Sequence, residues 1–396
     1  MTAVSSAAVR FRRGRSTIVP AVAAAYLLDV VFAVCVIGYG SRYLLHELHS
    51  SSAYPGYALA IYGLLKLVGA LVGGRLMDAS GILVAVALSA MAEVAAFATI
   101  LVSGSAGGYL AGVAMLSFGI EIAWLVVFRA IGDASESDRR ASLTAAMSVV
   151  ALAALGSGIL LSILLARTTS SSPSFLLTGA MAVVSTVLLV QLSAHTRLAP
   201  PTAAPRLDRR RFSEFRALLP LLVAAHFAVL AGSLAVYTPY VLRRLDLDLF
   251  HAGLVAAPAA IVAAAAMWLV GNRSRPGRRL AEASGWYVVA AIAMFISAHT
   301  HSLVAFGLLA IPLGAALAVT TPLMTAGLID SAATSESPGS AFGALFFMEG
   351  LGGIAGPALV GAAISLNGIS MGATLIGVLT LSLGGIALGV SRRRTS

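Results

Sequence analysis

The sequence predicts an all-α membrane protein of twelve transmembrane helices. Three observations carry that expectation. Of 396 residues, 59% are hydrophobic and 11% charged, where a soluble domain carries about 25% charged residues. The apolar residues gather into runs of about twenty, the length needed to cross a hydrocarbon core of about 30 Å. Within those runs Ala, Leu, Val and Gly follow no two-residue alternation, so the spans are helices and not barrel strands. The composition excludes a soluble globular enzyme and a disordered chain.

In order, the runs stand near 17–41, 54–75, 81–103, 107–129, 142–166, 174–195, 217–241, 251–272, 282–299, 302–328, 341–366 and 369–390. The first is too long for a cleaved signal peptide and carries Asp29 in its middle. The cations comprise 25 arginines and the single lysine Lys66. With the N-terminus inside, 21 arginines fall in cytoplasmic segments and only Arg42, Arg167, Arg243 and Arg244 fall outside. The positive-inside rule therefore predicts that both termini are cytoplasmic. The net charge of +10 is scattered among short loops, so it reads as topology and contact with anionic lipid, with no nucleic-acid partner. Cys35 is the only cysteine, which rules out an internal disulfide and a cysteine-based metal site. His46, His49, His299 and His301 lie in predicted outer segments without converging carboxylates, and no metal site is expected.

The longest polar stretch between spans contains Pro200, Pro201, Pro205 and Arg209–Arg211. It divides the chain into a first six-helix bundle (1–196), a central cytoplasmic loop (197–216) and a second bundle (217–396). Matching loops point to duplication. Ser135-Glu136-Ser137 after span 4 recurs as Ser335-Glu336-Ser337 after span 10, 200 residues on. Gly74-Arg75-Leu76-Met77-Asp78-Ala79-Ser80-Gly81 after span 2 corresponds to Arg275-Pro276-Gly277-Arg278-Arg279 after span 8, offset by 196.

On these features the chain resembles the major facilitator superfamily of secondary transporters along its whole length, in particular the twelve-helix branch of drug:proton antiporters. The family signature between spans 2 and 3 is Gly-x-Leu-Ala-Asp-Arg-x-Gly-Arg-Arg. Gly74, Leu76, Asp78 and Gly81 match it, while Ala79, Ile82 and Leu83 replace basic positions. In the second copy Arg275, Gly277, Arg278 and Arg279 survive and Ser274 stands at the acidic position. The exporters' Gly-x-x-x-Gly-Pro is absent from span 5, which offers Gly156 and Gly158, but appears in span 11 as Gly352, Gly356 and Pro357. Met115 stands about where span 4 would carry the motif arginine. The resemblance implies the family fold: twelve helices in two pseudo-symmetric six-helix bundles. It also implies a gating role for Gly74, Asp78, Gly81, Arg275, Gly277 and Arg278. Asp78 could pair with Arg75 or face the positive end of a neighbouring helix.

Six ionisable residues lie near mid-membrane. At 1.5 Å per residue, Asp29, Lys66, Glu93, Glu121, His226 and Glu349 fall about 12–18 Å from the cytoplasmic ends of their spans. Such groups are expensive in lipid and mark pathways for ions or substrates. A carboxyl group whose pKa is raised by desolvation can load and release a proton near neutral pH. Asp29 and Glu121 are the first candidates for coupling, since the family resemblance puts spans 1 and 4 on the cavity. Lys66 can either switch or form a permanent ion pair with Asp29, Glu93 or Glu121. Trp124 can stack on an organic cation or anchor packing. Glu93 reads best as a structural partner for Lys66, and His226 as either a titrating group or a helix–helix hydrogen-bond partner. Glu349 precedes a glycine-rich segment ending at Pro357, and Pro312 and Pro322 interrupt span 10. Tyr237 and Tyr240 fit either a cavity wall or an interfacial aromatic belt, the belt being the commoner case.

The resulting expectation is a transporter, not an enzyme, since no nucleotide loop or nucleophile elbow is present. It would export small amphipathic or cationic organic compounds against protons. Uptake of a polar metabolite and lipid flipping are the alternatives. The expected partners are the small-molecule substrate, protons and membrane lipids. No cofactor is expected beyond the proton gradient. The chain is expected to be a monomer in the inner (plasma) membrane.

Overall fold

A backbone crossing lipid must satisfy its own hydrogen bonds, and runs of Ala, Leu, Val and Gly do so as helices. The computed structural model describes residues 18–50, 54–134, 137–168, 171–196, 221–233, 236, 245, 249–275, 278–333 and 338–395. Twelve helices run along them: α1 (Ile18–Glu47), α2 (Tyr54–Ser80), α3 (Ile82–Ser103), α4 (Ala106–Ala134), α5 (Ser137–Thr168), α6 (Ser171–Thr196), α7 (Leu221–Ser233), α8 (Leu249–Arg273), α9 (Arg279–His299), α10 (Leu303–Ala333), α11 (Pro338–Asn367) and α12 (Ile369–Thr395). Ten of them are long and apolar enough to cross a membrane. Each falls on one predicted span, and among the described residues there is no strand.

Most helices overrun their apolar runs. Helix α2 continues from Arg75 to Ser80, and α5 starts at Ser137, five residues ahead of its predicted span. The runs mark lipid contact, whereas the backbone ladder continues through Arg, Asp and Ser until a breaker arrives. At the end of α2 that breaker is Gly81, whose φ of +89° suits glycine and strains other residues. The central loop, both Ser-Glu-Ser segments except Ser137, Gly277, Tyr237 and Tyr240 lie outside the described residues.

The helices form two compact units. One contains α1–α4, α5 from Val150, α6, and the start of α11 up to Phe347. The other contains the start of α5 (Ser137–Val149), α7–α10, the remainder of α11 and α12. One internal contact recurs in both. A methyl added at Gly158 of α5 would fall 3.1 Å from the Val30 carbonyl oxygen, and one at Gly352 of α11 would fall 2.1 Å from that of Ala224. Both members of the second contact lie 194 residues after those of the first. The span 11 glycine motif is therefore a close backbone seam against α7. Gly356 repeats it one turn on, 2.1 Å from the Ala228 carbonyl oxygen by the same measure. Gly356→Ala is expected to destabilise the protein by about 1–3 kcal/mol through overpacking. Thermal unfolding of the purified variant checks this, and an unchanged midpoint would contradict the seam.

Candidate functional site

Packing of α2 on α4 creates the site. A methyl at Gly69 would fall 2.8 Å from the Phe118 carbonyl oxygen and 3.1 Å from Glu121 Cβ, so only glycine lets the two backbones close there. The Ser117 hydroxyl donates to the Tyr62 carbonyl oxygen along the same seam. One turn before Gly69, Lys66 Nζ lies 3.7 Å from Glu121 Oε2. Glu121 is almost fully buried at 2% exposure, whereas the Lys66 side chain is 25% exposed. Trp124, three residues past Glu121, interacts through its side chain with Asp29 of α1, and Asp29 also lies in the field of the Lys66 ammonium.

Aromatic side chains lie close to these residues along the same helices. Trp124 stacks on Phe128 with centroids 5.3 Å apart, and Phe128 meets Phe346 from the start of α11 at 4.9 Å. Phe32 and Tyr62 approach to 4.4 Å, and the Tyr26 hydroxyl donates to Ser157 Oγ at 2.9 Å. Two carboxyl groups share one ammonium, so full ionisation would leave one uncompensated negative charge. In a low dielectric that state is costly, and a proton or an organic cation relieves it.

The other predicted residues are dispersed. Glu93 of α3 does not meet Lys66. It is 3% exposed and lies beside Ser89, 3.2 Å away, and Thr186 of α6. Lys66 went instead to Glu121 because Gly69 presses α2 onto α4. His226 is fully buried in the other unit, with Nδ1 2.7 Å from the Tyr287 hydroxyl of α9. This hydrogen bond links α7 to α9. Glu349 is half-buried on α11, one turn past Phe346.

The span 2–3 motif meets the start of α11 within its unit. Asp78 accepts the backbone N–H of Ser340 at 2.6 Å, in the first turn of α11, so it faces a helix start. Gly74 lies under Gly343 of the same helix, whose added methyl would fall 3.2 Å from Gly74 Cα. Asp78→Asn is expected to weaken this contact by up to about 1 kcal/mol. Since Cys35 is fully buried, alkylation of Ser340→Cys reports the contact, and its rate is expected to rise in Asp78→Asn; an unchanged rate would contradict a stabilising contact.

In the other unit the corresponding end carries a triad that sequence reasoning missed. Asp330 of α10 accepts from Arg140 of α5 at 2.7 Å and from Arg279 of α9. Ser142 Oγ lies 2.5 Å from Asn272 Oδ1, and Thr144 donates to the Pro322 carbonyl oxygen at 3.0 Å. Arg275 accepts through its carbonyl from the N–H of Arg278 at 3.1 Å, which forms the turn into α9. Arg279 is 4% exposed. A carboxylate at the end of a span beside two arginine-rich loops was the available signal.

The sequence profile of the Major Facilitator Superfamily matches residues 17–357. No curated protein matches the sequence. Among solved structures, the human organic anion transporter MFSD10 (TETRAN) superposes with a TM-score of 0.77 at 16% identity, over 94% of this chain and 99% of that one. The proton:xylose symporter XylE, bound to 6-bromo-6-deoxy-D-glucose, superposes with a TM-score of 0.72 at 13% identity, over 95% of each chain. At these identities the structures show the fold, and the profile, which spans most of the sequence, shows the family. This chain is a multi-pass membrane protein of the Major Facilitator Superfamily, with the transporter fold of that family.

Proposed function

We propose that the protein is a proton-coupled exporter of small amphipathic organic cations. The observation that carries this reading is the Asp29–Lys66–Glu121 cluster, in which two acids share one lysine beside an aromatic wall. With a proton on one acid the cluster is neutral. An organic cation stacking on Trp124 or Phe128 replaces that proton electrostatically, and competition between the two is the basis of exchange. The two six-helix halves (1–196 and 217–396) alternate access around the site. The Asp78–Ser340 and Arg140–Asp330–Arg279 contacts must break when the cytoplasmic side opens. The termini are cytoplasmic, the membrane is the inner or plasma membrane, and the working unit is a monomer.

The test uses proteoliposomes with an imposed pH gradient and ethidium as the probe cation. Gradient-dependent ethidium movement supports the reading, and its absence together with gradient-dependent movement of an anionic dye would replace it. The anionic alternative has two observations in its favour: Lys66 is the more exposed member of its pair, and an organic anion transporter shares the fold. The excess of acids over lysine at the site weighs against it.

A further inference from the structure

We infer that Glu93 carries a fixed proton and serves as a neutral hydrogen-bond donor that seats the Glu121 segment of α4. Three observations converge. The first is proton counting. The Ser89 hydroxyl has one hydrogen, and the Gly119 carbonyl oxygen, 2.8 Å away, can only accept it. The remaining contact, 3.2 Å between Ser89 Oγ and Glu93 Oε1, then requires its hydrogen from the carboxyl group. The second is the absence of charge compensation. Glu93 is 3% exposed and forms no ion pair among the described residues. The third is the other carboxyl oxygen. Oε2 is buried with no hydrogen bond within 3.5 Å among the described residues, and Thr186 is the one further polar side chain that interacts with the carboxyl group, an environment that a carbonyl tolerates better than a charged carboxylate does.

The location gives this proton a purpose. A methyl at Gly119 would fall 2.9 Å from the Ser89 carbonyl oxygen and 3.0 Å from Glu93 Cγ, so α3 presses directly on α4. Gly119 lies two residues before Glu121, which α2 presses at Gly69. The chain Glu93–Ser89–Gly119 thus fixes one side of the turn that presents Glu121 to Lys66. Glu93 is a positioning residue, and its proton stays in place while those of the cluster exchange.

Infrared spectroscopy of the purified protein in lipid tests this without a substrate. Wild type is expected to show a protonated carboxylic acid band that Glu93→Gln removes, with equal amplitude at acid, neutral and mildly alkaline pH. Glu93→Gln keeps a donor and is expected to retain the wild-type thermal midpoint, whereas Glu93→Ala lowers it. A spectrum unchanged by Glu93→Gln would show that Glu93 is ionised and overturn the inference. A band at Glu93 that vanishes across neutral pH would also overturn it, by making Glu93 an exchanging site.

Discussion

Asp29→Asn is expected to reduce pH-gradient-driven ethidium movement by about 5–150-fold, the range of a coupling free energy of about 1–3 kcal/mol. The amide keeps the size of Asp29 and can still meet the Trp124 side chain, so the fold should persist. It removes the charge that a proton and a cation would otherwise compete to neutralise. Movement of ethidium down its own concentration gradient should survive, because Trp124 and Phe128 are untouched. That split separates lost coupling from lost binding. Equal losses in both assays would place Asp29 in the binding surface alone.

Lys66→Met is expected to have the largest effect on stability. It leaves Glu121, at 2% exposure, without its cation at 3.7 Å. Breaking a buried pair from one side costs about 3–5 kcal/mol, and the partial exposure of Lys66 puts this case near the lower end. Removing both charges in Lys66→Met with Glu121→Gln is expected to recover most of the loss, since an apolar or neutral pair avoids the desolvation of both ions. The double-mutant cycle by thermal unfolding measures the coupling. A double variant as unstable as the sum of the two single ones would mean that the 3.7 Å contact is incidental. Recovery of stability without recovery of gradient-driven flux is the expected outcome.

Sequence reasoning reached the helices and the cast of charged residues, because cost in lipid makes both visible. Asp29, Lys66 and Glu121 stand out as ionisable groups in apolar runs. It could not choose among three carboxylates for Lys66. The choice depends on Gly69, which looks like any other small residue in a membrane helix until α4 is placed against it. The role of Glu93 was hidden for the same reason, since its neighbours Ser89 and Thr186 matter only once α3, α4 and α6 meet. Asp78 was legible as a motif residue, but its partner Ser340 lies 262 residues away. Asp330 passed unnoticed because a carboxylate at the end of a span is unremarkable until Arg140 and Arg279 converge on it.

Proton-coupled export at this site requires that a proton and an organic cation exclude each other at Asp29, Lys66 and Glu121. Proton release on ligand binding measures this most directly. Purified protein in lightly buffered detergent is mixed with ethidium while a pH indicator is followed. Wild type is expected to release protons as ethidium binds, and Asp29→Asn to bind it without release. Ethidium binding by wild type with no change in free protons, or equal release from both proteins, would contradict the account.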